Sequence, residues 1–275
     1  MEFRTVIDIP KPAFQIEPLE QMLFVGSCFA DGIGRRFVEE RFRATVNPFG
    51  TMYNPASVLH TIERVLATAD PQSLPRVVFI TLGTNHVYRL KETGEIVDNC
   101  QKRPQCLFSE ERLSIEQCTD YLDRAVGLLR RQRPDVQVVL TVSPIRYKKY
   151  GFHESQLSKA TLLLSIERLM SLDAQRSTLN YFPAYEIVLD ELRDYRFYQP
   201  DMLHPSGQAV EYIWQQLADH YLSPRAKQFL KEWKPIKEAL AHRPFHPESP
   251  EYQQFLADAH RREAELLARY AVFDH

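Results

Sequence analysis

Short, nearly unbroken apolar runs alternate with longer stretches of helical periodicity. This alternation constrains the fold more than any other feature of the chain. Residues 22–26 (Met-Leu-Phe-Val-Gly), 76–83 (Arg-Val-Val-Phe-Ile-Thr-Leu-Gly) and 136–142 (Val-Gln-Val-Val-Leu-Thr-Val) read as strands buried on both faces. After the first run the spacing turns helical, with Phe29, Ile33, Phe37 and Val38 on one side. Ser57 reads as the N-cap of a helix reaching about residue 69, and residues 47–55, rich in turn formers, as the loop before it. Residues 114–131 and 155–172 read as amphipathic helices, the second with Leu162, Ile166, Leu169 and Met170 facing inward. Residues 87–99 suggest a hairpin turning at Thr93-Gly94, residues 179–182 a short strand, and Ser206 caps a helix to about 221. Strands that alternate with helices of about 15 residues predict a three-layer α/β/α sandwich around a parallel sheet of about five strands.

Beyond residue 222 the pattern changes. Pro224, Pro235, Pro244, Pro247 and Pro250 punctuate two charged amphipathic stretches. The expected division is therefore an α/β unit over 1–221 and a helical extension over 222–275, whose faces are solvated or form a subunit contact.

Composition narrows the function classes. The chain has 275 residues, 44% of them hydrophobic and 25% charged, with a formal net charge of −2. Those values fit a globular domain and exclude a disordered chain or a collagen-like fibre. The near-neutral balance argues against a nucleic-acid partner. No apolar run of about 18 residues suggests a membrane span, and the start of the chain lacks the basic-then-apolar pattern of a signal peptide. The four cysteines, at 28, 100, 106 and 118, form no Cys-x-x-Cys pair and complete no zinc pattern with histidine. A reducing, cytoplasmic setting follows as the expectation, with no metal or organic cofactor.

In an open parallel sheet, ligands bind beyond the carboxyl ends of the strands. Ser27, Gly83-Thr84-Asn85 and Ser143-Pro144-Ile145-Arg146 all fall there, and Asp201-Met202-Leu203-His204 lies in a loop before the last helix of the α/β unit. A serine hydroxyl needs a neighbouring base to act as a nucleophile. Asp201 is spaced to orient the His204 ring, and His204 to take the proton from Ser27. The oxyanion of a tetrahedral intermediate needs donors; the Ser27 and Gly50 amides and the Asn85 side chain are the candidates. Arg146, His86 and Tyr198 are candidates for substrate contact. Each residue also has a plainer reading: Ser27 as a helix N-cap, Gly50 as a turn glycine, Asn85 as a loop brace, Lys159 as a solvated cation, Cys28 as a small buried residue. Cys28 also reads as a thiol nucleophile at a helix start, one residue past the serine.

Gly26-Ser27-Cys28-Phe29-Ala30 spells the motif of the GSCFA family. The chain further resembles that family at residues 47–51, at Gly83-Thr84, at Ser143-Pro144-Ile145-Arg146, at Leu157-Ser158-Lys159-Ala160 and from Tyr195 to Ser206. The family is similar to the wider SGNH/GDSL hydrolases. That resemblance implies a flavodoxin-like α/β/α fold, Ser27 as nucleophile, Gly50 and Asn85 in the oxyanion hole, and Asp201 with His204 as the base pair. It implies a serine esterase acting on a small or carbohydrate-linked ester such as an O-acetyl group, without a membrane or nucleic-acid partner. An acyltransferase using the same site and a non-catalytic binding module are the alternatives. Two departures stand out: Val25-Gly26-Ser27 replaces the usual Gly-Asp-Ser, and His86 follows Asn85 where the wider group often has Asp.

Overall fold

The computed structural model describes residues 4–70, 73–98, 100, 103–173 and 178–271. Five strands form one parallel sheet: β1 (Gln21–Gly26), β2 (Arg43–Val46), β3 (Val77–Leu82), β7 (Gln137–Val142) and β8 (Leu179–Tyr181), in the order β2-β1-β3-β7-β8. The strand order reverses between β1 and β3, so the carboxyl ends of these two neighbours frame a crevice. β2, at the edge, has an alternating exposed and half-buried pattern and no apolar run, so the sequence did not announce it.

Alternate residues of each central strand serve opposite layers. Leu23, Val25, Val78, Ile80, Val138 and Leu140 pack in one cluster against α2 (Pro55–Thr68), α3 (Ile115–Gln132) and α4 (Phe152–Leu172). Met22, Phe24, Val77, Phe79 and Val139 pack on the other face against α1 (Cys28–Glu39) and α6 (Gly207–Tyr221). Phe24 and Phe79 stack at 4.8 Å between ring centroids, tying β1 to β3 on the α1 side. A turn α5 (Ala184–Glu186) follows β8 and runs on through residues 187–192, an irregular helical segment absent from the sequence reading.

Four expectations are corrected. Asn54, not Ser57, caps α2: its Oδ1 accepts from the Ser57 N–H at 2.9 Å, with Pro55 pre-set at the first helical position. Val38 is 43% exposed, because the buried stripe of α1 runs through Phe29, Ala30, Ile33, Gly34 and Phe37. The hairpin gains a third strand: β4 (His86–Leu90) pairs antiparallel with both β5 (Ile96–Val97) and β6 (Phe108–Arg112). The expected hairpin end, Asn99, lies outside the described residues. Finally, Pro235 lies inside α7 (Pro224–Ala241) instead of breaking it.

α7 and α8 (Pro250–Ala271) pack on each other through Phe229, Trp233, Ile236, Leu266 and Tyr270. Trp233 Nε1 donates to the Glu39 carbonyl at 3.1 Å, which docks the pair onto the end of α1. Glu39 is the last residue of α1, at the opposite end of that helix from the β1–α1 junction. Among the described residues, no helix is long and apolar enough to cross a membrane.

Candidate active site

Gly26 is the turning point from β1 into α1. Its φ of +143° and its closeness to β3 leave no room for a side chain: a Cβ there would sit 2.1 Å from the Thr81 carbonyl oxygen. Its N–H donates to Asn47 Oδ1 at 2.9 Å, and its carbonyl accepts from the Met52 N–H at 2.8 Å. Asn47 Nδ2 in turn donates to Asp31 Oδ1 at 2.8 Å. The loop 47–54 is thereby strapped to the β1–α1 junction, and Tyr53 is carried to the mouth of the crevice.

That crevice is a cavity of about 290 Å³ lined by Ser27, Cys28, Tyr53, Thr84, Arg146 and His204 among others. The β1 end, the β3 end, the segment after β7 and the 201–204 loop all contribute, so residues from Ser27 to His204 meet at one place. The loop itself is tightly specified. Asp201 Oδ1 accepts from the Leu203 and His204 N–H groups at 2.8 and 3.0 Å, and Oδ2 lies 2.5 Å from His204 Nδ1. Met202, between them, takes a φ of +58°, a conformation that a non-glycine residue adopts only when held. The backbone N–H donors of His204 and Leu203, and then the imidazole, hold the Asp201 carboxyl down at about 2. It therefore stays ionised at neutral pH and can fix the ring with Nδ1 protonated and Nε2 free to accept a proton.

Arg146 serves this loop. Its N–H donates to the Leu203 carbonyl at 3.0 Å and its guanidinium to the Met202 carbonyl at 3.1 Å, while the side chain lies over the Phe152 ring at 4.1 Å. It also lines a second cavity of about 300 Å³, where Tyr198 is found. His86 lines neither: it stacks on Tyr150 at 4.1 Å, and burial pushes its imidazole below the ordinary value.

The expected oxyanion donors are engaged elsewhere. The Ser27 N–H continues the strand ladder to the Thr81 carbonyl at 3.1 Å, and the Gly50 N–H closes a turn onto the Asn47 carbonyl at 2.9 Å. Asn85 Nδ2 donates to the Leu113 carbonyl at 2.7 Å, and neither Gly50 nor Asn85 lines the cavity. Buried backbone carbonyls demand partners, and these three donors meet that demand. Ser27 is 2% exposed, and its Oγ accepts from the Phe29 N–H at 3.3 Å, the N-cap bond of α1.

Lys159 departs furthest from its plain reading. It is 2% exposed, and its Nζ donates to the Gly83 and Ser143 carbonyls at 2.7 and 2.8 Å, clamping the ends of β3 and β7 together. Its neighbour Ser158 accepts from the Asn85 N–H at 2.9 Å and lies 3.0 Å from Thr84 Oγ1. The sequence signal was available: residue 159 lies three before Leu162 and seven before Ile166, on the buried stripe of α4. Burial pushes the Lys159 amine down to about 7. An unfolded lysine keeps its proton up to about 10.4. Between these values the unfolded chain binds a proton that the folded chain does not, so stability rises with pH across that window. The urea midpoint of the wild type should therefore climb from pH 7 to pH 10 relative to that of Lys159→Met. Parallel pH profiles for the two proteins would refute this.

A family model described as "GSCFA family" matches residues 21–74 and 72–217, more than half of the chain. The chain belongs to the GSCFA family. A second model, "GSCFA domain protein, C-terminal domain", matches residues 233–274, a stretch that includes α8. The GSCFA motif itself is the β1–α1 junction just described, with Gly26 as its tight turn. No curated protein matches the chain. Among solved structures, this GSCFA chain is similar to a GDSL-like lipase from Bacteroides thetaiotaomicron (14% identity, 80% of this chain and 91% of that one, TM-score 0.47). It is also similar to a family 3 carbohydrate esterase from Clostridium thermocellum (12% identity, 81% and 100%, TM-score 0.43).

Proposed function

We propose that this GSCFA protein is a hydrolase of small acyl esters. The observation that carries the reading is the Asp201–His204 pair, locked by three contacts at 2.5–3.0 Å, with His204 on the same cavity as Ser27 and Cys28 of the β1–α1 junction. His204 takes the proton of a nucleophile from that junction, where the sequence reading names Ser27, and returns it to the leaving alcohol. Asp201 orients the ring and offsets its charge once it is protonated. At about 290 Å³ the cavity lies at the small end of ligand sites, which suits a short acyl group such as acetyl on a small alcohol or a sugar. The unit at 1–221 carries this chemistry, and the helices beyond 222 form an accessory surface open to self-association.

The adjoining cavity, which shares Arg146, favours one second reading: an acceptor alcohol seated there would receive the acyl group in place of water. The test is turnover of p-nitrophenyl esters of two to eight carbons by the full chain, with and without added sugar alcohols. Asp201→Asn should lower kcat by about 100-fold, less than the roughly 10⁴-fold reported for a buried triad aspartate, because Asp201 is 41% exposed and water partly replaces it. An Asp201→Asn enzyme as fast as wild type would remove the pair from the mechanism.

A further inference from the structure

We propose that the nucleophile of this site is the Cys28 thiol, one residue beyond the serine. The inference rests on the acyl-transfer reading above and names its reacting atom. Ser27 and Cys28 both line the cavity, but their side chains are differently committed. Ser27 is 2% exposed, and its Oγ holds the first turn of α1 through the Phe29 N–H. Withdrawing that oxygen for chemistry would uncap the helix. Cys28 is half-buried, so its sulfur is reachable. Its Sγ lies 3.3 Å from the Tyr53 hydroxyl, on the loop that Asn47 straps to Gly26.

Position adds to this. Cys28 is the first residue of α1, where the helix dipole favours negative charge. As the first helical residue, its N–H has no acceptor within the helix. That donor sits on the nucleophilic residue itself, whereas the N–H of Ser27 is spent on Thr81. Tyr53 completes the arrangement. Burial, followed by the neighbouring thiol, pushes its phenol up to about 12, so it stays protonated and can donate to sulfur at neutral pH. The remaining cysteines are placed otherwise: Cys118 is on the buried face of α3, with its thiol pushed up to about 12 by burial, and neither Cys100 nor Cys106 lines this cavity.

The chemistry balances without a further reagent. The Cys28 sulfur adds to the ester carbonyl carbon, and the thiol proton passes to His204 Nε2. The oxyanion collapses, the bond from carbon to the alkoxy oxygen breaks, and His204 returns the proton to the departing alcohol. A water molecule then adds to the thioester and gives a proton to His204. The carbon–sulfur bond breaks, releasing the carboxylic acid and, with the proton returned, the thiol.

The experiment mixes the full chain with p-nitrophenyl acetate, quenches in acid and maps the acetyl group by peptide mass spectrometry. Turnover is then followed in Cys28→Ala, Cys28→Ser, Ser27→Ala and the surface control Cys106→Ala. The expected result is acetyl on Cys28, removable by neutral hydroxylamine as a thioester is. Turnover should fall at least about 1000-fold in Cys28→Ala, recover in part in Cys28→Ser and stay at the wild-type rate in Cys106→Ala. Because Cys28→Ser preserves shape, a folding defect in the alanine variant would not mask the result. Acetyl on Ser27, or turnover in Cys28→Ala at the wild-type rate, overturns the thiol assignment and leaves the hydrolase reading standing. Absence of both turnover and adduct across the ester series overturns the two together.

Discussion

Replacing His204 with alanine should reduce kcat/KM for a p-nitrophenyl ester by at least about 10⁴-fold, while the protein folds as before. In free-energy terms that is about 5 kcal/mol of lost transition-state stabilisation. Two observations set the size. His204 is the imidazole on the cavity that also holds Ser27 and Cys28, and its Nδ1 is already engaged with Asp201, so a proton can move only through Nε2. Among the described residues, no carboxylate lines the cavity beside it to substitute as base. Folding should be little affected because the ring is 39% exposed. The backbone N–H of residue 204 still bonds Asp201 whatever the side chain, and its carbonyl still accepts from the Gln199 N–H at 2.7 Å. The check is steady-state kinetics alongside a thermal melt. A variant retaining more than a tenth of the activity would show that the 201–204 loop is not the catalytic base.

Gly26→Ala should be the most damaging single methyl group in the α/β unit. The added Cβ would meet the Thr81 carbonyl oxygen at 2.1 Å and the Thr81 carbonyl carbon at 2.8 Å. Those are backbone atoms of the central strand β3, which pairs with β1 on one side and β7 on the other, so they have nowhere to move. The positive φ adds its own penalty for an L-residue. Together these predict a loss of about 4 kcal/mol or more, and a melting temperature about 10 °C lower or an unfolded chain. Gly32→Ala is the control: Gly32 is exposed on α1, the helix that follows, with nothing within 4 Å, and alanine there should stabilise by about 0.5–1 kcal/mol. A Gly26→Ala protein melting within about 2 °C of wild type would contradict the packing argument. It would also loosen the case for Cys28, since Gly26 sets where the next two side chains point.

The same glycine explains why the site was half legible. The departure from Gly-Asp-Ser looked like a missing acid when the motif was lined up on Ser27. Counted from Gly26, the residue that the β1–β3 contact makes indispensable, the side chain two positions on is Cys28. Linear spacing could not choose between the two origins. Burial and the N-cap bond separate the two side chains, and both arise only when α1 packs over the sheet.

By itself the sequence determined the layered fold, because hydrophobic periodicity is a local property. The buried strands at residues 22–26, 76–83 and 136–142, and the helices between them, were readable from alternation and caps. It also put Asp201 and His204 within reach of each other, because residues three apart in an irregular segment can face the same way, and in the structure the two meet. Three-dimensional packing decided the rest. The edge strand β2 and the third strand β6 carry no apolar run, and their place depends on partners distant in sequence. Gly50 and Asn85 have the right chemistry for an oxyanion hole, but nearby carbonyls claim their donors, since a buried carbonyl left unpaired costs more than a loop amide can gain by waiting for substrate. Lys159 looked like a surface cation until two strand ends brought carbonyls within 2.8 Å of a position that its helix had already turned inward. Pattern follows from the chain's own geometry; the use of each polar group depends on which partner reaches it first when the layers close.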